Sequence, residues 1–226
     1  MPAKAKSKPA KKHILIVDDH PMMRQGLAQL INNEPDLSVA WEADNAGQAL
    51  EVISTQAPDL VIADISLPDK NGLELIKDIH VLRPGVPILV VSMHDETLYA
   101  ERVLRAGGRG YIMKQQGGKK LMEALRQVLG GQIYVSEKIS ARILEMFSAG
   151  RSKTSESPMG RLSDREFEVF QLIGEGKGTR EIAEKLNLSV KTVEVHRANI
   201  KEKLNLKTAT DLVRQAVRWV EAQGTV

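Results

Sequence analysis

Cysteine is absent from all 226 residues, which excludes a disulfide framework, a thiol nucleophile and Cys-ligated zinc together. Aromatic residues are only 4%, with 2 Trp, 3 Tyr and 3 Phe. Base-stacking recognition of single strands is therefore poorly served, and groove reading of a duplex is the better-suited mode of nucleic-acid binding. No apolar run approaches the roughly 20 residues a bilayer crossing needs, and the opening MPAKAKSKPAKK has no apolar segment behind its charges to act as a secretory signal. A cytoplasmic chain with no membrane partner is expected. What is present is ordinary for a globular protein: 42% hydrophobic and 27% charged residues, in a length that fits two domains of roughly 100 residues.

The net charge of +3 is unevenly spread. Residues 1–12 carry five lysines and no acid, residues 13–132 carry a net −5, and residues 133–226 a net +3. A polyanionic partner is expected only for the back half. The lysine-rich 1–12 stretch reads as a solvated, disordered arm.

In residues 13–130, short apolar runs alternate with helical periodicity, the pattern of βα units around a parallel sheet. The runs are His13–Val17, Leu37–Ala43, Asp59–Ala63, Pro87–Val91 and Gly110–Met113, with helices expected near 20–33, 45–56, 72–82, 95–106 and 118–129. A doubly wound parallel sheet is expected, for which 2-1-3-4-5 is a common order. Residues 131–160 read as a linker containing a helical segment near 136–147, with a small, polar, turn-rich stretch at 149–160.

Reactive side chains stand where the strands end. Asp18 and Asp19 close the first, Asp64 the third, Ser92 the fourth and Lys114 the fifth. Strands 1 and 3 are neighbours in that order, so three carboxylates crowd one pocket at the switch point. Such crowding raises carboxylate pKa values or demands a cation, and a hard, oxygen-seeking ion such as Mg²⁺ suits it. Helix capping by Asp18 and Asp19 is the plainer alternative. A flavin site would want a hydroxyl- and glycine-rich loop after the first strand, and an aspartyl phosphatase a second acid two residues after Asp64; neither is present.

Val17-Asp-Asp-His20, Asp64 to Gly72, Val91-Ser-Met-His94 and Gly108 to Lys114 resemble the receiver domain of bacterial two-component response regulators. The resemblance implies that Asp64 accepts a phosphoryl group from a sensor histidine kinase. It further implies that Asp19, Asp64 and the Ser66 carbonyl bind Mg²⁺ directly, with Asp18 acting largely through water. Lys114 would neutralise phosphoryl charge, Ser92 would be drawn toward the phosphate, and Tyr111 would move into the vacated space. Phosphorylation and dephosphorylation of its own Asp would be the only chemistry; the chain is not expected to be a metabolic enzyme. Gln115 departs from the family, which commonly has an acid there.

Residues 161–226 read as all helix. Ser163-Asp-Arg-Glu166 is a capping box, Thr179 is expected to cap a short second helix, Ser189 a third running to about Leu204, and Thr208 a fourth. A short helix, a turn and a longer helix form a helix-turn-helix. Projected at about 100° per residue, Val190, Val193, Arg197, Ile200 and Leu204 share the packed face of the third helix. The opposite face carries Lys191, Val195, Ala198 and Glu202, flanked by Thr192, Glu194 and Asn199. That mixture suits a major-groove edge, and an ordinary solvated face is the competing reading. Arg197 is placed to pair with Glu166 or to reach a phosphate, and Lys191 and Lys201 are further phosphate contacts.

Leu162 to Phe170, Gly176 to Leu186 and Leu188 to Leu204 resemble the LuxR-type DNA-binding domain. Both resemblances together imply a transcriptional response regulator that binds double-stranded promoter DNA through its third helix, 189–204, as a homodimer whose contact the family commonly places on the fourth helix. That helix offers a small apolar stripe of Ala209, Leu212, Val213 and Ala216, for which packing within the domain is the alternative. The alternatives are a phosphorylation-independent DNA-binding regulator with a degenerate receiver, and a phosphate-sink or interaction module. The split charge further leads us to expect that an unphosphorylated front half masks the basic back half.

Overall fold

A computed structural model describes residues 11–148 and 158–223. The chain divides into two units, the first ending at Ser148 and the second beginning at Ala149. Residues 1–10 of the expected 1–12 arm and most of the 149–160 expectation lie outside the described residues, but the end of the arm is not a disordered tail: Lys12 opens the first strand and its ammonium donates to Asp59 Oδ1 at 2.7 Å.

The first unit alternates strands and helices: β1 (Lys12–Val17), α1 (Pro21–Asn32), β2 (Leu37–Ala43), α2 (Ala46–Thr55), β3 (Leu60–Ala63), α3 (Gly72–Leu82), β4 (Ile88–Ser92), α4 (Glu96–Ala106), β5 (Gly110–Met113), α5 (Gly117–Leu129) and α6 (Glu137–Ser148). The sheet order is β2-β1-β3-β4-β5, all parallel. Burial explains why the central strands read as unbroken apolar runs. Ile14 to Val17, Leu60 to Ala63 and Ile88 to Ser92 are buried along their whole length, as strands covered by helices on both faces must be.

Register then sets the site. Val17 pairs with Ala63, so the residues that follow, Asp18 and Asp64, leave adjacent strands at the same level. Two main-chain bonds pin them: Asp64 N–H donates to the Val17 carbonyl at 2.9 Å, and Asp18 N–H to the Ala43 carbonyl at 3.1 Å.

Beyond α5 the chain covers the sheet edge. Tyr134 N–H donates to the Arg109 carbonyl and Tyr111 N–H to the Tyr134 carbonyl, which pairs the otherwise open side of β5. The helical segment expected inside 131–160 is α6, and it packs on α4. Ile139 is buried, Ser136 Oγ donates to Glu96 Oε1 at 2.7 Å, and the Arg142 guanidinium donates to the Thr97 carbonyl.

The second unit contains α7 (Asp164–Gly174), α8 (Thr179–Lys185), α9 (Val190–Lys203) and α10 (Ala209–Gln223). Phe167 and Phe170 stand edge-on to Trp219 at 5.4 and 5.7 Å, joining α7 to α10, and Leu212 and Ala216 close that seam. A Cβ on Gly174 would lie 2.5 Å from the Ala216 carbonyl, so glycine is what lets the two helices approach. Asn187 and Asn205, both with φ near +55°, make the turns on either side of α9.

Residues 158–161, at and just beyond the end of the expected turn-rich stretch, form a 3₁₀ turn. Three expectations need correcting here. Thr179 does not cap α8: Gly178 occupies the cap, and its N–H donates to Glu181 Oε2 at 2.8 Å. Val190, the first residue of α9, is 46% exposed, whereas Val193 and Ile200 of the same expected face are buried. Glu166 pairs with Lys203, whose Nζ lies 2.6 Å from Oε2, and not with Arg197.

Glu166 closes the capping box of α7, accepting from Ser163 N–H at 2.8 Å, and is itself buried. Burial by itself raises its pKa, but the Lys203 ammonium and the Ser163 donors outweigh that and hold the carboxyl below its ordinary range. A depressed carboxylate contributes stability above its unfolded pKa and loses it as pH falls through the folded one. Glu166→Gln is accordingly expected to lower the stability of the second unit by about 1–3 kcal/mol at pH 7, with the deficit shrinking on acidification. Thermal unfolding of both proteins from neutral to acid pH checks this; a deficit independent of pH would mean lost packing rather than lost charge.

Candidate functional site

At the carboxyl ends of β1 and β3, oxygens of Asp18, Asp19 and Asp64 and a ring nitrogen of His20 lie within 4.8 Å of one another. Asp18 and Asp64 are buried, and Asp19 is half-buried at the mouth. The carboxylates are oriented locally. Ile65 N–H donates to Asp64 Oδ1 at 2.6 Å and His20 N–H to Asp18 Oδ1 at 2.9 Å. The Arg24 guanidinium donates to the Asp18 carbonyl at 2.5 Å, fixing the peptide between the paired acids.

Lys114, the first residue beyond β5, enters this cluster from the far side. Its Nζ lies 2.7 Å from Asp18 Oδ2 and 2.7 Å from Asp64 Oδ2, with the side chain 3% exposed. Burial alone would lower the ammonium pKa, but Asp64 and Asp18 outweigh it and raise the group above its ordinary value. One cation thus offsets part of the charge of three carboxylates and leaves Asp19 without an ammonium partner. Asp19 Oδ1 is cut off from solvent and accepts no well-formed hydrogen bond, although His20 Nδ1 stands 2.5 Å away. Oxygen donors with an unsatisfied acceptor among them suit a hard divalent cation.

Ser92, last residue of β4, is fully buried, and Tyr111 on β5 is 1% exposed. The Tyr111 phenol donates to the His94 carbonyl at 2.8 Å. Burial raises the phenol pKa strongly, and a side-chain hydrogen bond with Ser92 only partly opposes this. Ser66 Oγ shares a hydrogen bond of 2.9 Å with His94 Nε2, which ties the segment after β3 to the segment after β4. Gln115 is exposed in the 3₁₀ turn that follows β5.

The segment from Asp64 to Gly72 is held at several points. Asp69 accepts from Ala46 and Gly47 N–H at the start of α2, and Asn71 caps α3 through Leu73 N–H. Gly72 packs so closely that a Cβ would lie 2.3 Å from the Asp64 carbonyl oxygen. Gly72→Ala is expected to cost about 1–3 kcal/mol and to displace Asp64. Chemical denaturation together with a divalent-ion titration checks this, and unchanged values in both would show that the segment tolerates the side chain.

In the second unit α9 presents Lys191, Glu194, Val195 and Ala198 as exposed residues, with Thr192, Arg197, Asn199 and Lys201 half-buried beside them. Val193 and Ile200 are buried beneath. Val195 is 51% exposed, an uncovered β-branched side chain in the middle of a polar face. Two of these groups are already engaged inside the unit: Thr192 Oγ1 shares a hydrogen bond with Ser189 Oγ, and Glu194 Oε1 accepts from Thr179 Oγ1 at 3.0 Å. A groove of about 420 Å³ lies at the α9–α10 turn, lined by Lys207, Arg214 and Arg218 with Asp211. Of the expected α10 stripe, Leu212 and Ala216 are consumed by the core, and Val213 stays 40% exposed.

Comparison with known proteins decides the family. Residues 14–126 match the response regulator receiver domain, and residues 160–216 match the bacterial regulatory proteins of the luxR family. The chain belongs to the LuxR-family response regulators. This regulator is 37% identical to the oxygen regulatory protein NreC of Staphylococcus carnosus, over 91% of this chain and 96% of that one. It is 31% identical to the transcriptional regulatory protein DegU of Brevibacillus brevis, over 93% and 95% respectively. Among solved structures, RcsB of Salmonella enterica serovar Typhimurium, bound to promoter rprA with a phosphomimetic, matches with TM-score 0.61 and 28% identity, over 90% of this chain and 97% of that one. The first unit of the regulator is thus its receiver and the second its LuxR-type output domain. The family is one of transcriptional regulators, not enzymes, and no helix among the described residues is long and apolar enough to cross a membrane.

Sequence reasoning had not included His20 in the acid cluster, although it is the fourth residue of the Val17–His20 motif. Lys203 was missed as the partner of Glu166 because its turn of α9 reads as a solvated charge run.

Proposed function

We propose that this regulator is switched by phosphorylation of Asp64 by a sensor histidine kinase and that α9 then reads promoter DNA. The observation that carries the reading is the buried Lys114 ammonium 2.7 Å from both Asp18 and Asp64, with the unsatisfied Asp19 oxygen beside it. An Asp64 carboxylate oxygen attacks the phosphorus of a phosphohistidine, the phosphorus–nitrogen bond breaks, and the imidazole nitrogen keeps the bonding pair. No general base is needed, because a carboxylate attacks without giving up a proton. Lys114 follows the charge onto the equatorial oxygens, where fixed cations stabilise the transition state. Asp19, Asp64 and the Ser66 carbonyl would hold Mg²⁺, with Asp18 behind them; the ion supplies the further positive charge that phosphoryl transfer requires.

The phosphoryl group adds about −1.5 to −2 charge and three acceptor oxygens next to Ser92. Ser92 donates to them, and Tyr111, already inward in this structure, is held there. Hydrolysis of the acyl phosphate at the same site resets the switch.

In the output domain, Lys191, Val195, Ala198 and Asn199 face the major groove, with Thr192 and Glu194 at its edge, and Lys191, Arg197 and Lys201 meet phosphates. One solved RcsB structure is of two dimers bound to two parallel DNAs, and that arrangement supports a homodimer here, with the exposed Val213 of α10 at the contact. A cytoplasmic location accords with this role. The degenerate-receiver alternative is disfavoured by the assembled acid, lysine and hydroxyl set. The phosphate-sink alternative is disfavoured by the complete helix-turn-helix.

Incubation of the full chain with Mg²⁺ and a small phosphodonor, followed by intact mass, tests the reading. One phosphoryl group is expected, and none without the ion. Failure to gain that mass under saturating donor would overturn it.

A further inference from the structure

The acid cluster contains one nitrogen donor that the Mg²⁺ reading does not use. His20 Nδ1 lies 2.5 Å from Asp19 Oδ1 and 3.3 Å from Asp18 Oδ1, and it belongs to the same 4.8 Å constellation as Asp64. No capping role competes for the ring, since His20 occupies the cap position of α1 but makes no side-chain cap bond. Its main chain is fixed, because His20 N–H donates to Asp18 Oδ1 and its carbonyl accepts from Met23 and Arg24. The imidazole nitrogen stands beside both acids, with most of the ring in solvent.

We infer that His20 is a metal-selectivity residue, whose imidazole nitrogen lets the receiver site take a borderline divalent transition ion of the Ni²⁺ or Fe²⁺ type as well as Mg²⁺. Hard Mg²⁺ is satisfied by the carboxylates and gains little from an imidazole, whereas the later first-row ions favour one. The inference rests on the carboxylates forming a cation site, and the experiment separates the two claims.

Untagged full-length chain is titrated with NiCl₂ and with MgCl₂ by calorimetry, as wild type, His20→Ala, His20→Asn and Asp64→Asn. Only Ni²⁺ heat displaced by excess Mg²⁺ is counted, which removes binding at His13, His80, His94 and His196. In wild type the two ions compete for one site. Both His20 variants are expected to keep Mg²⁺ affinity within about twofold and to lose about tenfold or more in Ni²⁺ affinity, the low end of what altering a metal's ligand surroundings costs. Asp64→Asn weakens both ions together. An unchanged Ni²⁺ to Mg²⁺ ratio in the His20 variants overturns the selectivity role and leaves the Mg²⁺ site standing. A wild-type chain that binds neither ion overturns both. Because the His20 ring is 68% exposed and caps nothing, both variants should fold; matching thermal unfolding curves verify this.

Discussion

Asp64→Asn will abolish the Mg²⁺-dependent gain of one phosphoryl group while leaving the receiver folded. The substitution keeps the shape of the side chain and removes the charge that makes one oxygen a nucleophile. Its partners explain why the fold survives. Asp64 Oδ1 accepts from Ile65 N–H, which an amide oxygen can replace, and Lys114 retains Asp18 at 2.7 Å. The effect on phosphoryl transfer is expected to be all or none, since the amide offers no carboxylate oxygen to the phosphorus at the end of β3. A persistent Mg²⁺-dependent mass gain in the variant would move the acceptor elsewhere.

The second large effect lies on α9 and has two distinguishable forms. If the exposed Val195 methyls meet a base edge as proposed, Val195→Ala is expected to cost about 1–3 kcal/mol at one operator position and little on random duplex. Lys191→Ala removes a proposed phosphate contact. It should weaken binding to every sequence and flatten the dependence of log affinity on log salt by about one unit. Titrations of both variants on a selected operator and on random duplex, across a salt series, separate the two signatures. Wild-type binding by both variants would mean that another face of α9, or another helix, meets the DNA.

The receiver was legible in the sequence wherever a single physical constraint acted along the chain. Buried parallel strands must be apolar throughout, so Ile14 to Val17 and Ile88 to Val91 announced themselves. The aligned strand ends then brought Asp18, Asp64 and Lys114 together as expected, because register is a property of the whole sheet. What escaped was set by contacts between elements far apart in sequence. Lys203 meets Glu166 across 37 residues, and Asp69 reaches the start of α2 across 22 and 23, and neither spacing carries a local signal. Val190 fails for a different reason: helical projection assigns a direction to a side chain but does not say where along the helix its neighbours begin. Likewise Thr179 resembles a cap by type, yet Gly178 takes the cap position and the Thr179 hydroxyl is given to Glu194.

The central claim is that charge at Asp64 governs affinity for DNA that the phosphate never touches. The net −5 of residues 13–132 and +3 of residues 133–226 motivate an unphosphorylated state in which the basic output domain is partly withheld. Only a modest bias is required, since moving a two-state equilibrium from 1:99 to 99:1 takes about 5.5 kcal/mol of differential stabilisation. The direct measurement is a titration of labelled operator with the full chain before phosphorylation, after it, and with Asp64→Asn treated identically. Tighter binding by the phosphorylated chain alone is the predicted result, and unphosphorylated chain binding at least as tightly as phosphorylated chain would contradict it.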